Sequence, residues 1–257
     1  MILAVDIGNT NIVVGLLEGT TILNSVRIAT DRKKTETDFI IQLKLTLSTI
    51  FEVSEDKIEG SILSSVVPEL TNQLVIALKL LLNKKPFVVG AGIKTGLNIK
   101  IDNPQTLGAD RVCDAVCVIE EYKVPAIIID MGTATTISVV DKNKNHIGGM
   151  IIPGIKTSLD SLSLSASQLP YISLDEPKTL IGKNTIDCMQ SGIIYGNASL
   201  IDGLIDKIKE ELNEGFVVIA TGGYSKLIIK HTKHKIIYDP DLLLKGLYYI
   251  YKKNSSN

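Results

Sequence analysis

The stretch that decides the fold is DMGTATTI, which runs from Asp130 to Ile137. It ends one run of aliphatic residues at 126–129 and begins another at 137–140. This pattern predicts a strand, a tight turn and a second strand, with the carboxylate of Asp130 at the bend. Gly132 lets an anion or another backbone come close, and the four small residues after it, three with hydroxyls, are suited to phosphate oxygens. Asp130 itself is better suited to a cation.

The same design occurs near the N-terminus, where Ile2 to Val5 lead into the turn DIGNTN and a second aliphatic run continues to Leu17. The two turns begin with Asp6 and Asp130, which are 130 − 6 = 124 residues apart, close to half of the 257-residue chain. We therefore expect two related halves that face each other across a nucleotide.

The composition excludes several classes of protein. With 45% hydrophobic and 21% charged residues the chain is an ordinary globular protein, and its formal net charge of −1 provides no global field for nucleic acid or an anionic membrane. The N-terminus has no basic flank and reaches Asp6 early, which excludes a signal peptide, and no uncharged apolar run approaches the ~18 residues of a membrane span. The three scattered cysteines fit a reducing compartment. We predict a cytoplasmic protein.

Apolar periodicity predicts a mixed α/β order in both halves. In the first half we expect a three-stranded antiparallel meander (2–6, 12–17 and 22–28) and a helix (35–51). A strand (58–67), a helix (68–82), a strand (87–89) and a helix (107–122) follow. In the second half we expect another meander (126–129, 137–140 and 145–152), an amphipathic stretch (155–165), a loop (166–183) and a long helix (185–212). A strand (216–220), a helix (225–230), a short strand (236–238) and a terminal helix (240–252) follow. Pro125 ends the helical pattern that reaches residue 122, so we place the division near residue 120, with domains 1–120 and 121–257. We expect residues 254–257 to be frayed.

One turn of the Asp-x-Gly type also occurs in ordinary hairpins, but two turns at matching points favour a nucleotide site. ATP carries several negative charges, which need backbone amides from two hairpins and a divalent ion held by carboxylates. Asp6 is the better candidate for organising Mg²⁺, directly or through water, because hard cations prefer oxygen ligands. Gly222 and Gly223, which end a third apolar strand and open a helix, suit a flat adenine or ribose against bare backbone.

Other candidate motifs have simpler explanations. The glycine-rich segment 90–96 fits neither the P-loop nor the dinucleotide-binding pattern, so we expect a plain loop, although Lys94 could reach an anion. Cys113, Cys117 and Cys188 lie in helical patterns, where cysteines are small core residues more often than nucleophiles or zinc ligands. The apolar stripe on the long helix indicates core or dimer-interface positions, at Ile193, Ile194, Ile201, Leu204, Ile205 and Ile208.

Taken together, these motifs resemble the acetate and sugar kinase, Hsp70 and actin superfamily, and their combination is similar to type III pantothenate kinases. The resemblance implies an α/β fold of duplicated ribonuclease H-like (actin-like ATPase) domains, with mixed sheets flanked by helices and a nucleotide cleft between the halves. The matching stretches follow the chain in order, at residues 6–13, 92–96, 108–111, 130–135, 148–154, 182–185, 189–192 and 220–223.

The resemblance also implies ATP-dependent phosphorylation of pantothenate to 4'-phosphopantothenate, the first step of coenzyme A biosynthesis. It implies a homodimer that uses Mg²⁺ with ATP and needs potassium or ammonium, with Asp130 as the monovalent-cation ligand. The implied ATP contacts are Asp6, Ile7, Gly8, Asn9, Thr10, Asn11, Ile12, Val13 and Thr133. The implied pantothenate contacts are Gly108, Ala109, Asp110, Arg111 and Thr185, with Asp110 as the base.

The chemistry of Asp110 agrees with that role, because phosphoryl transfer to a primary alcohol needs a carboxylate to accept the hydroxyl proton. The alternative is a helix-start ion pair between Asp110 and Arg111. The family commonly has tyrosine at the position of Ile101, and this departure would weaken substrate binding without removing the chemistry. Two other functions stay open, an ATP-gated binding or regulatory protein of the same superfamily and a kinase for another small hydroxy acid.

Overall fold

The computed structural model describes residues 1–255, and these divide into two compact units. The first unit contains Met1–Tyr122 and the segment that begins at Asp241, and the second contains Lys123–Pro240. The sequence-based division near residue 120 assigned the terminal helix to the second half, whereas this helix belongs to the first unit.

The first unit is built on an antiparallel meander of β1 (Ile2–Ile7), β2 (Asn11–Glu18) and β3 (Thr21–Ala29), as predicted. Two further strands, β4 (Gly60–Ser65) and β5 (Phe87–Val88), join in parallel, so that the sheet order is β3-β2-β1-β4-β5. A short strand, β6 (Asn98–Ile99), follows.

The helices of the first unit begin where local signals place them. The capping box of Thr35 and Asp38 starts α1 (Glu36–Leu45), which continues as a π-helix over Thr46–Ile50. Pro68 is the first residue of α2 (Pro68–Leu82), and α3 (Ala109–Glu121) follows Gly108. Short 3₁₀ turns occur at Glu55–Lys57 and Pro104–Thr106.

Successive side chains of β1 point to opposite faces of the sheet. Leu3, Val5 and Ile7 pack with α1 and α2, whereas Ile2 and Ala4 pack with α3 and the C-terminal helix. Because successive side chains of a strand point to opposite faces, Asp6 shares the face of Ile2 and Ala4. The carboxylate of Asp6 therefore lies on the side of the sheet that α3 covers.

The second unit repeats this plan. Its meander consists of β7 (Ala126–Met131), β8 (Ala134–Val140) and β9 (Asn145–Pro153), and β10 (Val217–Thr221) and β11 (Ile237–Tyr238) join in parallel beside β7. The strand order β9-β8-β7-β10-β11 therefore matches β3-β2-β1-β4-β5. Each meander also contains one register shift between its second and third strands.

The helices of the second unit are α4 (Ile155–Ser165), α5 (Thr185–Leu212) and α6 (Ser225–Ile228), and a 3₁₀ turn follows at Ile229–His231. The apolar stripe of α5 faces the core of this unit, with Ile194, Ile201, Ile205 and Ile208 buried and Ile193 and Leu204 partly buried. Its core assignment is thereby confirmed. Within residues 1–255, no helix combines the length and apolar character that a membrane crossing needs.

The C-terminal helix α7 (Leu242–Ser255) packs on α3. A Cβ at Gly246 would lie 2.0 Å from the carbonyl oxygen of Cys113, so only glycine permits this approach. Asn254 donates to the carbonyl of Lys94 at 2.9 Å and accepts from its N–H at 3.1 Å. The expected frayed end is therefore wrong for residues 254 and 255, and residues 256 and 257 lie outside the described residues.

Candidate active site

The first predicted phosphate turn connects β1 and β2. The N–H of Gly8 donates to the carbonyl of Asn11 at 3.0 Å, which closes the turn and leaves Asn9 and Thr10 exposed at its tip. Thr30 ties the turn to the end of β3, because its hydroxyl donates to the carbonyl of Gly8 at 2.7 Å. The amides suited to an anion are therefore those of the exposed tip rather than that of the glycine.

Asp6, Ile7, Ile12 and Val13 frame this turn from the two strands. Ile7 and Ile12 are buried in the hydrophobic core, so only their backbone could contact a ligand. Asp6 is only partly buried, and it is paired in register with Val13 of β2 and Ser64 of β4. The hydroxyl of Ser64 donates a hydrogen bond to Oδ1 of Asp6.

The predicted substrate segment forms the start of α3. Gly108 is the N-cap, Ala109 is the first helical residue, and Asp110 lies in the first turn, where the helix dipole favours a negative charge. The N–H of Arg111 donates to Oδ1 of Asp110 at 2.7 Å. A Cβ at Gly108 would lie 2.4 Å from the same oxygen, so the glycine makes room for the carboxylate.

Arg111 is partly buried, and burial lowers the pKa of its guanidinium while the nearby carboxylates of Asp110 and Asp114 oppose that shift. The side chain remains a cation at neutral pH, because an arginine stays protonated far above pH 7. The start of α3 thus combines one carboxylate, one partly desolvated cation and the positive end of a helix.

The structure brings Asp6 and Asp110 to one region of the first unit. The thiol of Cys113 on α3 is fully buried, and its pKa is raised well above the usual value by burial first, and then by the negative charges of Asp6, Asp114 and Asp110. The carboxylates of Asp6 and Asp110 therefore both raise the pKa of the Cys113 thiol, which lies on the α3 side of the sheet. Strand alternation explains why Asp6 faces that side.

The second predicted turn connects β7 and β8, and the N–H of Gly132 closes it by donating to the carbonyl of Ala134 at 3.1 Å. Of the three hydroxyl residues expected in the turn, only Thr133 lies there, and it is exposed. The expectation was wrong for Thr135 and Thr136, because the strand resumes at Ala134 and Thr135 is buried in β8.

Asp130 lies at the end of β7, where the turn after β10 closes over it. Gly222 has φ +92, and a Cβ there would lie 2.4 Å from Oδ1 of Asp130 and 2.6 Å from the carbonyl carbon of Met131. Only glycine fits this position without a shift of its neighbours. Asp130 and Gly222 are thus brought together in the second unit, and Gly223 follows as an exposed residue.

Two residues without a predicted role support Thr133. The hydroxyl of Thr157 donates to the carbonyl of Thr133 at 2.9 Å, and a Cβ at Gly154 would lie 2.1 Å from that carbonyl oxygen. The family resemblance could have indicated Gly154, because this residue belongs to the matching stretch 148–154. Nothing in the sequence distinguishes Thr157, because a threonine in the first turn of a helix is common.

Thr185 begins α5 in the second unit, whereas the other predicted substrate residues belong to the first. Asn184 caps the helix by accepting from the N–H of Asp187 at 2.9 Å. Thr185 lines a cavity of about 550 Å³, together with Leu162, Leu169, Gly182, Lys183, Asn184, Cys188, Met189, Gly192 and Ile193. Cys188 is exposed, so its assignment to the core was wrong, while Cys113 and Cys117 are buried as expected.

Solved structures with the same fold cover nearly the whole chain. The (R)-2-hydroxyglutaryl-CoA dehydratase component A of Acidaminococcus fermentans is 14% identical with a TM-score of 0.58, covering 99% of this chain and 98% of its own. The activator of the 2-hydroxyisocaproyl-CoA dehydratase from Clostridium difficile, solved with ADPNP, is 14% identical with a TM-score of 0.54, covering 99% and 94%. The two mixed sheets therefore form an actin-like ATPase fold, which confirms the predicted fold class.

The sequence comparisons show the family within this fold. The family described as Type III pantothenate kinase matches residues 2–207. A type III pantothenate kinase of Halalkalibacterium halodurans is 44% identical over 257 residues, which cover 99% of this chain and 100% of the relative. That of Bacillus cytotoxicus is 43% identical over 255 residues, which cover 99% and 97%. The chain belongs to the type III pantothenate kinase family, whose members are phosphotransferases, as the motifs indicated.

Proposed function

We propose that this chain transfers the γ-phosphoryl group of ATP to the terminal hydroxyl of pantothenate and so forms 4'-phosphopantothenate, the first step toward coenzyme A. The observation that carries the proposal is the match to a type III pantothenate kinase over 99% of the chain at 44% identity. The actin-like fold is consistent with ATP as the donor, since the Clostridium difficile activator of the same fold was solved with ADPNP.

In this proposal the chemistry belongs to the start of α3. Asp110 accepts the proton of the attacking hydroxyl, and the alcohol oxygen forms its bond to the γ-phosphorus as the bond to ADP breaks. Arg111 offers a cation next to that carboxylate, suited to the carboxylate of pantothenate or to phosphate oxygens. The close approach of Gly108 to Asp110 supports a carboxylate held in one orientation.

We assign the two cations to the carboxylates at the ends of β1 and β7. Within residues 1–255, neither Asp6 nor Asp130 belongs to a cluster of three His, Cys, Asp or Glu side chains. A single carboxylate suits Mg²⁺ bound with ATP, because this ion takes its remaining ligands from phosphates and water. Asp6 would hold it, directly or through water, and Asp130 would hold potassium or ammonium. When bound, the ions neutralise phosphate charge.

The nucleotide contacts in this proposal come mainly from backbone. The exposed tip residues Asn9, Thr10 and Thr133 present amides and short polar side chains, which suit phosphate oxygens. Gly222 and Gly223 leave bare backbone at the end of β10 for the adenine or ribose. We also assign the enzyme to the cytoplasm, which the three free cysteines support.

We further propose that the chain acts as a homodimer through the second unit. Large apolar side chains are exposed on α4, the following loop and the start of α5, including Leu164 at 74%, Tyr171 at 64%, Leu180 at 63% and Ile181 at 79%. These four side chains lie within residues 164–181, and large exposed apolar patches mark interfaces in proteins. Thr185 follows Ile181 by four residues, at the start of α5, which supports an acceptor site close to the partner.

The proposed reaction is tested with purified protein, Mg-ATP, potassium and a panel of small hydroxy acids, with the phosphorylated product identified by mass spectrometry. Pantothenate should be the best acceptor. Asp110→Asn should lower kcat by about 10²- to 10⁴-fold, because it removes a general base, while the affinity for ATP stays close to that of the wild type. Asp56→Asn, which changes an exposed carboxylate of the same unit, serves as the control.

Three outcomes would contradict the proposal. Full activity of Asp110→Asn would remove this residue from its role. Phosphorylation of another hydroxy acid in preference to pantothenate would identify a different kinase. ATP binding without phosphorylation of any acceptor would favour an ATP-gated binding protein.

The dimer is tested by light scattering after size-exclusion chromatography. Ile181→Asp should convert the dimer to a monomer, because it places a charge in the proposed interface. Leu80→Asp, at a leucine of α2 that is 64% exposed, should leave the dimer intact. A wild-type chain that elutes as a monomer at micromolar concentration would contradict the proposed dimer.

A further inference from the structure

The carboxylate of Asp6 has one neighbour that the proposed mechanism does not use. Ser64 lies directly opposite Asp6 in the parallel pair of β1 and β4. Its side chain is completely buried, and its hydroxyl donates to Oδ1 of Asp6. Residues opposite each other in a sheet present their side chains on the same face, so the strand register itself makes this contact.

A buried hydroxyl that donates to a carboxylate limits its rotation. Hydrogen bonds to charged groups are stronger than those between neutral groups, and a fully buried hydroxyl has few other acceptors within reach. With Oδ1 held by Ser64, the orientation of Oδ2 is set as well. The carboxylate of Asp6 is then prepared for a ligand before the ligand arrives.

Burial of a serine on β4 does not by itself produce such a contact. Ser61, three residues earlier on the same strand, is 1% exposed, and its hydroxyl has no hydrogen-bond partner among the described residues. The two serines therefore share a strand and a degree of burial but differ in the partner of the hydroxyl. Ser61 is a matched control for Ser64.

We propose that Ser64 is a positioning residue for the nucleotide-bound divalent cation, which it serves by fixing the carboxylate of Asp6. This inference rests on the proposed role of Asp6 toward Mg²⁺. Partners of metal-binding side chains commonly change metal affinity by about 10- to 100-fold when they are removed. The loss of the Ser64 hydroxyl should therefore weaken Mg²⁺ binding more than it slows phosphoryl transfer.

The experiment compares Ser64→Ala with Ser61→Ala. Binding of a fluorescent ATP analogue is titrated with Mg²⁺ in the absence of acceptor, and the initial rate of phosphorylation is measured across the same Mg²⁺ range. In Ser64→Ala the Mg²⁺ concentration at half-saturation should rise by about 10-fold or more in both measurements, while kcat at saturating Mg²⁺ stays within about 3-fold of the wild type. Ser61→Ala should match the wild type.

Conservative variants at the same position provide a second readout. Ser64→Thr keeps a hydroxyl and should restore most of the Mg²⁺ affinity, whereas Ser64→Cys, with a weak S–H donor, should show an intermediate loss. If Ser64→Ala does not fold, as judged by circular dichroism, Ser64→Cys takes its place in the comparison with Ser61→Ala.

Equal Mg²⁺ half-saturation in Ser64→Ala and Ser61→Ala would overturn the inference. A loss confined to kcat, with unchanged Mg²⁺ half-saturation, would also overturn it. The proposed function is judged separately, because the nucleotide titration needs no acceptor. A wild type that binds the analogue with Mg²⁺ but phosphorylates no pantothenate would contradict the proposed function. The Mg²⁺ titration of analogue binding would still decide the role of Ser64.

Discussion

The regions around Asp6 and Asp130 have the same backbone plan and different surroundings. Each aspartate lies near the end of the first strand of a meander, and each is paired across a parallel ladder, Asp6 with Ser64 and Asp130 with Thr221. At Asp6 the neighbouring strand supplies a hydroxyl donor, whereas at Asp130 the turn after the strand brings Gly222 against the carboxylate. A duplicated frame therefore gives its two carboxylates different contacts.

The turns that follow the two aspartates also differ. Both are closed by a glycine N–H, but Gly8 donates to the carbonyl three residues later, and Gly132 donates to the carbonyl two residues later. The first turn is longer and exposes two residues at its tip, and the second exposes Thr133. The first unit also carries Asp110 on the face of Asp6, which makes it the unit of the proposed base.

The largest effect is expected from Asp6→Asn. Loss of the charge that we propose to organise Mg²⁺ should lower kcat/KM for Mg-ATP by about 10³-fold, which corresponds to about 4 kcal/mol of transition-state stabilisation. Steady-state kinetics at varied Mg-ATP measures this, with Asp31→Asn as a control at an exposed carboxylate of the same unit. A loss of less than about 10-fold would show that Asp6 does not organise the ion.

Asp130→Asn should give the next largest effect and a different signature. The rate at saturating potassium should fall by about 10- to 100-fold, because the variant lacks the proposed ligand of the monovalent cation, while the Mg²⁺ half-saturation stays at the wild-type value. Parallel titrations with K⁺ and Mg²⁺ measure both responses in the two variants. If Asp6→Asn and Asp130→Asn changed both responses alike, the two carboxylates would not have separate roles.

Gly222→Ala tests the close approach that distinguishes the second region. The added methyl group meets Oδ1 of Asp130 at 2.4 Å, and the backbone has φ +92, so the variant should lose about 1–3 kcal/mol of stability. Thermal unfolding should show Tm lower by about 2–4 °C per kcal/mol. Gly203→Ala on α5, where nothing lies within 4 Å of the added carbon, should instead gain up to about 1 kcal/mol. Equal changes in both variants would contradict the packing argument.

The smallest effect concerns the thiol beside Asp6, and it appears only in alkaline solution. Cys113 has a folded-state pKa well above its usual value of 9.0. Above that pH the unfolded thiol ionises while the folded thiol keeps its proton, so the contribution to stability is complete below pH 9.0 and is lost as pH rises. Cys113→Ala should therefore lose less stability than the wild type between about pH 9 and 10, by up to ~1.4 kcal/mol per pH unit.

Urea unfolding at several pH values measures this difference. Between about pH 7 and 8, where the thiol is protonated in both states, the two proteins should show the same dependence on pH. If the free energies of unfolding of the two proteins also changed equally with pH above pH 9, the environment of Cys113 would not favour the protonated thiol.

Most helices were predicted well because their boundaries depend on local signals. The observed α2 and α5 begin and end at the predicted residues, 68–82 and 185–212. Pro68 and the cap residue Asn184 begin these helices, and Asn83 and Asn213 end them in the left-handed conformation. Such signals act within a few residues and are readable in the sequence.

Contacts between distant segments were predicted poorly. The terminal helix α7 was assigned to the second half, yet it packs on α3, where Gly246 fits against the carbonyl of Cys113. Thr135 and Thr136 were assigned to the phosphate turn, although the strand resumes before them and buries Thr135. Local periodicity states neither which surface a helix will cover nor which threonines a strand will bury.

The sequence by itself determined the elements, the duplicated meanders and the family, because periodicity, caps and motif spacing are properties of short stretches. Only the tertiary structure decided what each site carboxylate contacts. Ser64 reaches Asp6 across 58 residues of chain, and Gly222 reaches Asp130 across 222 − 130 = 92. Those contacts depend on the strand register and the close packing of the turns. Both arise only when the sheet assembles from distant segments, so no single segment determines them.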